Sequence, residues 1–333
     1  MHVDLTVIWA AIVVFAVIMY VIMDGFDLGI GILFTRFPVG PERDTAMNSI
    51  APVWDGNETW LVLGGGGLMA AFPLAYAIIL PALYAPLIAM LLGLVFRGVA
   101  FEFRWRDPNH RARWDAAFCL GSLVAALGQG ITLGALLQGI HVEHRAYAGG
   151  YWDWLTPFSL LTGASLVIAY ALLGASWLIW KTAGTACASA RRLARPLIIA
   201  LVAAIGIVSA CTPFLNDHYR RTWFTAPGLY ASVTMPIFVL ALAAWLYRRV
   251  AKGHDAAPFL LTLSLFGASL LGLMISVYPD LIPGSVSMYD AAAPLRTQSF
   301  MLVGAAILLP IILTYTAWSY WVFRGKVAHE GYH

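Results

Sequence analysis

Apolar residues run along this chain in long blocks broken by short polar stretches. A helix needs roughly 20 mainly apolar residues to cross a bilayer. Blocks of about that length lie near 6–34, 46–72, 76–103, 115–139, 157–180, 196–215, 227–247, 258–278 and 298–323. The pattern predicts an all-α integral membrane protein of about nine transmembrane helices, forming one transmembrane domain over residues 1–333. The second block is the least apolar. It carries Asn48, Asp55, Asn57 and Glu58, so a hydropathy window passes over it and returns eight spans. The longest loops, near 140–156, 216–226 and 279–297, are too short to fold alone. No internal repeat is visible.

Composition agrees with the pattern. Of 333 residues, 61% are hydrophobic and 11% charged, where a soluble domain carries about a quarter. So few charges cannot cover a surface in water. The first apolar run leads into DGFDLG, not into a small-residue cleavage site, so it is expected to stay as a helix. Cys119, Cys187 and Cys211 lie far apart, which supports neither a disulfide framework nor a zinc site. The net charge of +3 says little about partners, and no nucleic-acid partner is expected.

Charge placement orients the chain. With nine spans, 15 basic residues fall on one side, in groups around Arg36, Arg104, Arg191, Arg248 and Arg324. The other side holds Arg145, Arg220, Arg221 and Arg296. Cytoplasmic loops carry the excess of Lys and Arg. This puts the N-terminus outside and the C-terminus in the cytoplasm, with Glu42 and Lys252 cytoplasmic.

Ionisable groups inside a bilayer are expensive and are functional candidates by default. The spans hold Asp24 and Asp27 on the first helix, Asp55 and Glu58 on the second, and Arg97 and Glu102 on the third. Each acidic pair is spaced i, i+3 and shares a helix face. Counted at about 1.5 Å per residue, with the second helix taken to start near Ala46, the four carboxylates and Arg97 reach similar depth in the cytoplasmic half. Two readings stand. Asp24, Asp27, Arg97 and Glu102 suit a polar knot in which Arg97 neutralises carboxylates and fixes helix register. Asp55 and Glu58 suit a proton route, since Gly56 and Asn57 could loosen the helix and admit water. Gly25, Gly29, Gly31 and the run Gly64 to Gly67 suit close helix packing.

All eight histidines fall in termini or loops. A membrane haem takes its axial ligand from a helix or its end, most often His, so this chain is expected to bind no haem and no metal. Intramembrane acids on nine spans would also suit a proton-coupled secondary transporter, although neither an inverted repeat nor paired broken helices are visible.

The motifs narrow the choice. The stretches MDGFDLGIGIL at 23–33, NSIAPVWDGNETWLVLGG at 48–65, AAFPLAYA at 70–77 and LVFRGVAFEFRWR at 94–106 resemble subunit II of the cytochrome bd quinol oxidases, including the cyanide-insensitive branch. The stretches YWDWLTPFSLLTG at 151–163 and LPIILTYTAWSYWVF at 309–323 resemble the same family. The resemblance implies two four-helix bundles and one peripheral helix, paired with a larger subunit I. That subunit would carry two b-type haems, one d-type haem and the quinol-binding loop. The complex would oxidise ubiquinol or menaquinol, reduce dioxygen to water and draw its protons from the cytoplasm. Asp55 matches a family residue on a proton route towards haem d. A structural quinone or lipid and a small single-helix third subunit accompany some members.

Overall fold

The computed structural model describes residues 4–327, so His2, His329 and His333 lie outside the described residues. Thirteen helices follow in order. They are α1 (Leu5–Leu33), α2 (Pro41–Asn48), α3 (Trp54–Ala71), α4 (Pro73–Ala82), α5 (Tyr84–Arg106), α6 (Arg111–Gln138) and α7 (Pro157–Lys181). The remainder are α8 (Gly184–Cys211), α9 (Asp217–Phe224), α10 (Gly228–Ala251), α11 (Ala256–Val277), α12 (Met288–Ala291) and α13 (Leu295–Val322). Two antiparallel ribbons complete the chain. One pairs β1 (Val142–Glu143) with β2 (Ala146–Tyr147), the other β3 (Asp280–Ile282) with β4 (Val286–Ser287).

Among the described residues, eight helices are long and apolar enough to span a membrane: α1, α5, α6, α7, α8, α10, α11 and α13. α3 is the one passed over, with 18 residues and both Asp55 and Glu58 near its start. It still runs the length of the molecule. Its N-terminal end follows α2, which is pinned to α6 through Arg43 and Asp115. At its other end the Ala71 carbonyl accepts from the Ala293 amide, beside α12. At 1.5 Å per residue it covers about 27 Å, close to the hydrocarbon thickness of about 30 Å. That length would let it serve as a ninth crossing.

Local chemistry sets the boundaries. Asp4 caps α1 by accepting from the Thr6 amide at 2.9 Å, filling one of the orphan donors of a helix start. Thr156 and Ser159 form a capping box on α7, with Pro157 at its first position. Pro73 ends α3: it cannot donate an amide, and Phe72 before it leaves the helical region at φ −132°, ψ 60°. The expected second block is likewise broken, because α2 stops at Asn48 and a non-helical segment, 49–53, precedes α3. The expected third block is two helices interrupted at Leu83.

Packing sorts these helices into two groups of four. α1, α3, α5 and α6 make one, and α7, α8, α10 and α11 the other, joined where α7 lies against α1 and α6. α13 sits at the edge, touching α1 and α3, and buries only Gln298 fully. The α1–α7 seam is the tightest. A Cβ on Gly29 would stand 1.8 Å from the Tyr170 carbonyl oxygen, and Gly174 meets the Gly29 backbone from the other side. Only glycine allows backbones this close. In the run on α3, Gly64 and Gly67 face α1, while Gly65 and Gly66 have open space around them.

Candidate functional site

Three of the helices carrying intramembrane charge meet at one point. The Arg97 side chain enters from α5 and is 2% exposed. Its Nη1 donates to Asp24 Oδ1 of α1 at 2.6 Å and its Nη2 to Glu58 Oε1 of α3 at 2.6 Å. Asp24 is fully buried, whereas the Glu58 side chain keeps 28% of its exposure. Charge-assisted bonds of this length are the strong class of hydrogen bond, and Arg97 ties three helices with two of them.

Asp27 sits one turn further along α1, also fully buried, and Arg97 does not bond it. Its Oδ2 accepts from Asn57 Nδ2 at 2.7 Å, and the same amide group donates to the Met23 carbonyl at 3.3 Å. Asn57 Oδ1 accepts in turn from the Tyr320 hydroxyl of α13 at 2.9 Å. Asn57 and Tyr320 escape a search of the sequence for ionisable groups, because neither carries charge. Asn57 stands within the WDGNETW block, which is the one signal that could have found it. Glu102 is not in the knot. It is exposed near the end of α5, 3.9 Å from Arg106.

The shared depth holds, though the geometry differs from a helix counted from Ala46. Ala46 belongs to α2, and α3 begins at Trp54, so Asp55 occupies the first turn of α3. Segment 49–53 folds inward with Ser49, Ile50 and Val53 buried, which delivers the start of α3 to the level of Arg97. Asp55 points away from the knot and is exposed on the surface of the chain. Thr59, Val62, Gly66 and Met69 are exposed on the same side of α3. Their spacing is i, i+4, i+7, i+11 and i+14, one continuous stripe of a helix.

A second ionic cluster lies nearer the basic end. Asp115 of α6 accepts from Arg104 Nε at 2.5 Å and from Arg43 Nη1 at 2.7 Å. Arg104 also pairs with Asp44 at 2.7 Å, and Arg43 donates to the Phe37 carbonyl at 2.8 Å. These bonds clamp α2 against α5 and α6. In sequence, Arg43 and Arg104 read as ordinary cytoplasmic charges, and nothing in their spacing marks them as buried. Outside the spans, Asp255 accepts from Lys326 at 2.8 Å and from Arg191 at 2.6 Å. The bond from Lys326, chiefly, holds its carboxyl below the usual aspartate range.

The described histidines, His110, His141, His144, His218 and His254, all lie outside α3 and the eight span-length helices. Among the described residues no group of three or more His, Cys, Asp or Glu is placed to hold a metal ion.

Comparison with known proteins gives one answer. The family model for cytochrome bd terminal oxidase subunit II matches residues 5–323. Cytochrome bd-I ubiquinol oxidase subunit 2 of Escherichia coli (strain K12) is 33% identical, over 97% of this chain and 95% of its own length. Cytochrome bd ubiquinol oxidase subunit 2 of Bacillus subtilis (strain 168) is 28% identical, over 97% of each. A chain of the bd oxidase from Geobacillus thermodenitrificans shares the fold, with a TM-score of 0.76 at 18% identity over 96% of this chain and 98% of that one.

Proposed function

Because this chain belongs to the cytochrome bd terminal oxidase subunit II family and is a subunit of a quinol oxidase, we propose that α3 carries its functional contribution: a cytoplasmic proton route through Asp55 and Glu58 along the contact with subunit I. The observation behind this is the exposed stripe Asp55, Thr59, Val62, Gly66 and Met69. A carboxylate facing lipid costs several kcal/mol, and small residues favour helix contact over lipid contact. A stripe of that composition belongs against another protein, and the family supplies subunit I. Protons drawn from the cytoplasm would pass Asp55 on that seam towards the oxygen-reducing haem. Glu58, one turn on and part-exposed, stands between the seam and the Arg97 knot. The knot itself, Arg97 with Asp24 and Glu58, fixes the register of α1, α3 and α5.

In the same reading subunit I holds the two b-type haems and the d-type haem, and oxidises the quinol. Its helices would supply the ligands that the histidine placement here does not. A small single-helix third subunit, a structural quinone or lipid would find apolar area on α13 and on the outer face of α5, where Val95 and Phe96 are each 60% exposed. The excess of basic residues at the end holding Arg104, Lys181, Arg249 and Lys326 supports a cytoplasmic position for that end, with the ribbons outside. The family replaces the secondary-transporter reading.

The test is Asp55→Asn in the two-subunit oxidase. The amide keeps the shape but cannot take up a proton and pass it on. Assembly and haem content should stay near normal while oxygen consumption falls, most at high pH where protons are scarce. Wild-type turnover across pH in the assembled variant would overturn the route.

A further inference from the structure

A cleft of about 290 Å³ opens at the basic end, between the C-terminal ends of α7 and α13 and the non-helical segment after α2. Asn48, Ser49, Lys181 and Tyr320 line it together with the tail that follows α13. Non-helical backbone at membrane depth persists where it is buried in protein or lines a watery cavity, and segment 49–53 does both. Asn48 Oδ1 is buried beside this cleft without a hydrogen-bond partner. The cleft ends on Tyr320, and from Tyr320 two hydrogen bonds lead through Asn57 to Asp27.

The charges around Asp27 do not balance. Asp24 and Asp27 of α1 and Glu58 of α3 face a single guanidinium, that of Arg97 on α5. Asp55 of α3 adds negative charge further out. The other titratable side chains at this level are the phenols Tyr20 of α1, Tyr170 of α7 and Tyr320 of α13. Arg97 is committed to Asp24 and Glu58. Asp27 has only the neutral Asn57 amide, and its Oδ1 lacks any partner while the side chain is fully buried. An unpaired buried carboxylate is strongly disfavoured, and Oδ1, the oxygen without a partner, is the position open to a proton. That proton needs a way in and out.

We infer that Asp27 exchanges its proton with the cytoplasm through this cleft, and that the Tyr320–Asn57 hydrogen bond is the gate. A carboxamide does not relay protons, so the bonded arrangement is the closed one. When the Tyr320 hydroxyl leaves Asn57, water from the cleft reaches Asp27. The acid then gives its proton to that water and regains one on the same oxygen, with no other bond made or broken. The inlet is internal to this chain and separate from the Asp55 stripe, which lies on the outer surface of α3.

The experiment uses the assembled two-subunit oxidase at rest, so it does not depend on the turnover test of Asp55. The complex is moved into D2O and the infrared C=O bands of protonated carboxyls are followed in time. Tyr320→Phe removes the gate bond and should speed exchange of one band roughly tenfold, equal to about 1.4 kcal/mol of closing free energy. Asn48→Cys, in a background without the three native cysteines and labelled with a bulky maleimide, should fill the cleft and slow the same band. Asp27→Asn, in assembled complex, should abolish it. The inference is overturned if no carboxyl band responds in opposite directions to the two cleft changes, or if the responding band survives Asp27→Asn. Should Tyr320→Phe not assemble, the label decides alone: unchanged exchange with the cleft filled overturns the inlet.

Discussion

Arg97 holds the knot at its centre, and its removal is the sharpest test of that role. In Arg97→Met the side chain keeps much of its bulk but loses the guanidinium. Two charge-assisted bonds of 2.6 Å disappear, and Asp24, fully buried, is left without its cation. Breaking a buried ion pair by removing one partner costs about 3–5 kcal/mol. That is a large share of the roughly 5–15 kcal/mol that holds a folded domain together. The assay is the yield of solubilised complex, its haem content and its half-life on heating. All three should fall in Arg97→Met, while turnover per remaining haem changes little. Adding Asp24→Asn and Glu58→Gln to Arg97→Met removes the stranded charges and should restore most of the yield. The reasoning fails if Arg97→Met assembles and withstands heat like the parent, or if the neutral triple variant is as poor as the single one.

Three other outcomes are expected. Gly29→Ala places a methyl 1.8 Å from the Tyr170 carbonyl oxygen and must part α1 from α7; overpacking of this kind costs about 1–3 kcal/mol or more, read as a lower thermal midpoint, and an unchanged midpoint would refute the seam. Cysteines introduced at Glu42 and Lys252 should both be labelled from the cytoplasmic side by an impermeant reagent, and labelling of position 42 from outside would mean that α3 does not cross. The Asp255 carboxyl is held below its ordinary range by Lys326, so the tie between them is present above about pH 3.9 and is lost as pH falls through the lower folded value; protease access to the tail after α13 should rise only in that acid range, and a rise at neutral pH would refute it.

Much of the fold was legible because lipid imposes a plain rule: a spanning helix must be apolar for about 20 residues. Eight helices announce themselves that way. α3 does not, and the charge of its surroundings had to speak for it through the positive-inside rule. Boundaries were less legible inside two blocks, since the turn before α3 and the break at Leu83 divide stretches that hydropathy reads as continuous. In the knot, Asp24, Glu58 and Arg97 could be picked out one by one from the cost of burying charge. Their pairing could not, because helices at equal depth can turn any face to one another. The sequence therefore offered Glu102 to the knot and set Glu58 on the proton route. The Asp27–Asn57–Tyr320 chain was hidden for a different reason: two of its members are neutral, and one of those, Tyr320, comes from a helix more than 260 residues away in sequence.

The charge on α3 bears on how the protein is made. A segment holding Asp55, Asn57 and Glu58 within four positions partitions poorly into lipid by itself, since each acid near a helix centre costs about 2.5–3.5 kcal/mol during insertion. Partners for Asn57 and Glu58 are supplied by α1, already synthesised, and by Arg97, still some 40 residues from the ribosome's exit when Asp55 emerges. During biogenesis α3 therefore has to wait beside α1, sheltered from lipid, until α5 arrives. Integration of the first third of this chain is a concerted event, and a ribosome stalled before Arg97 should leave α3 on the wrong side of the bilayer.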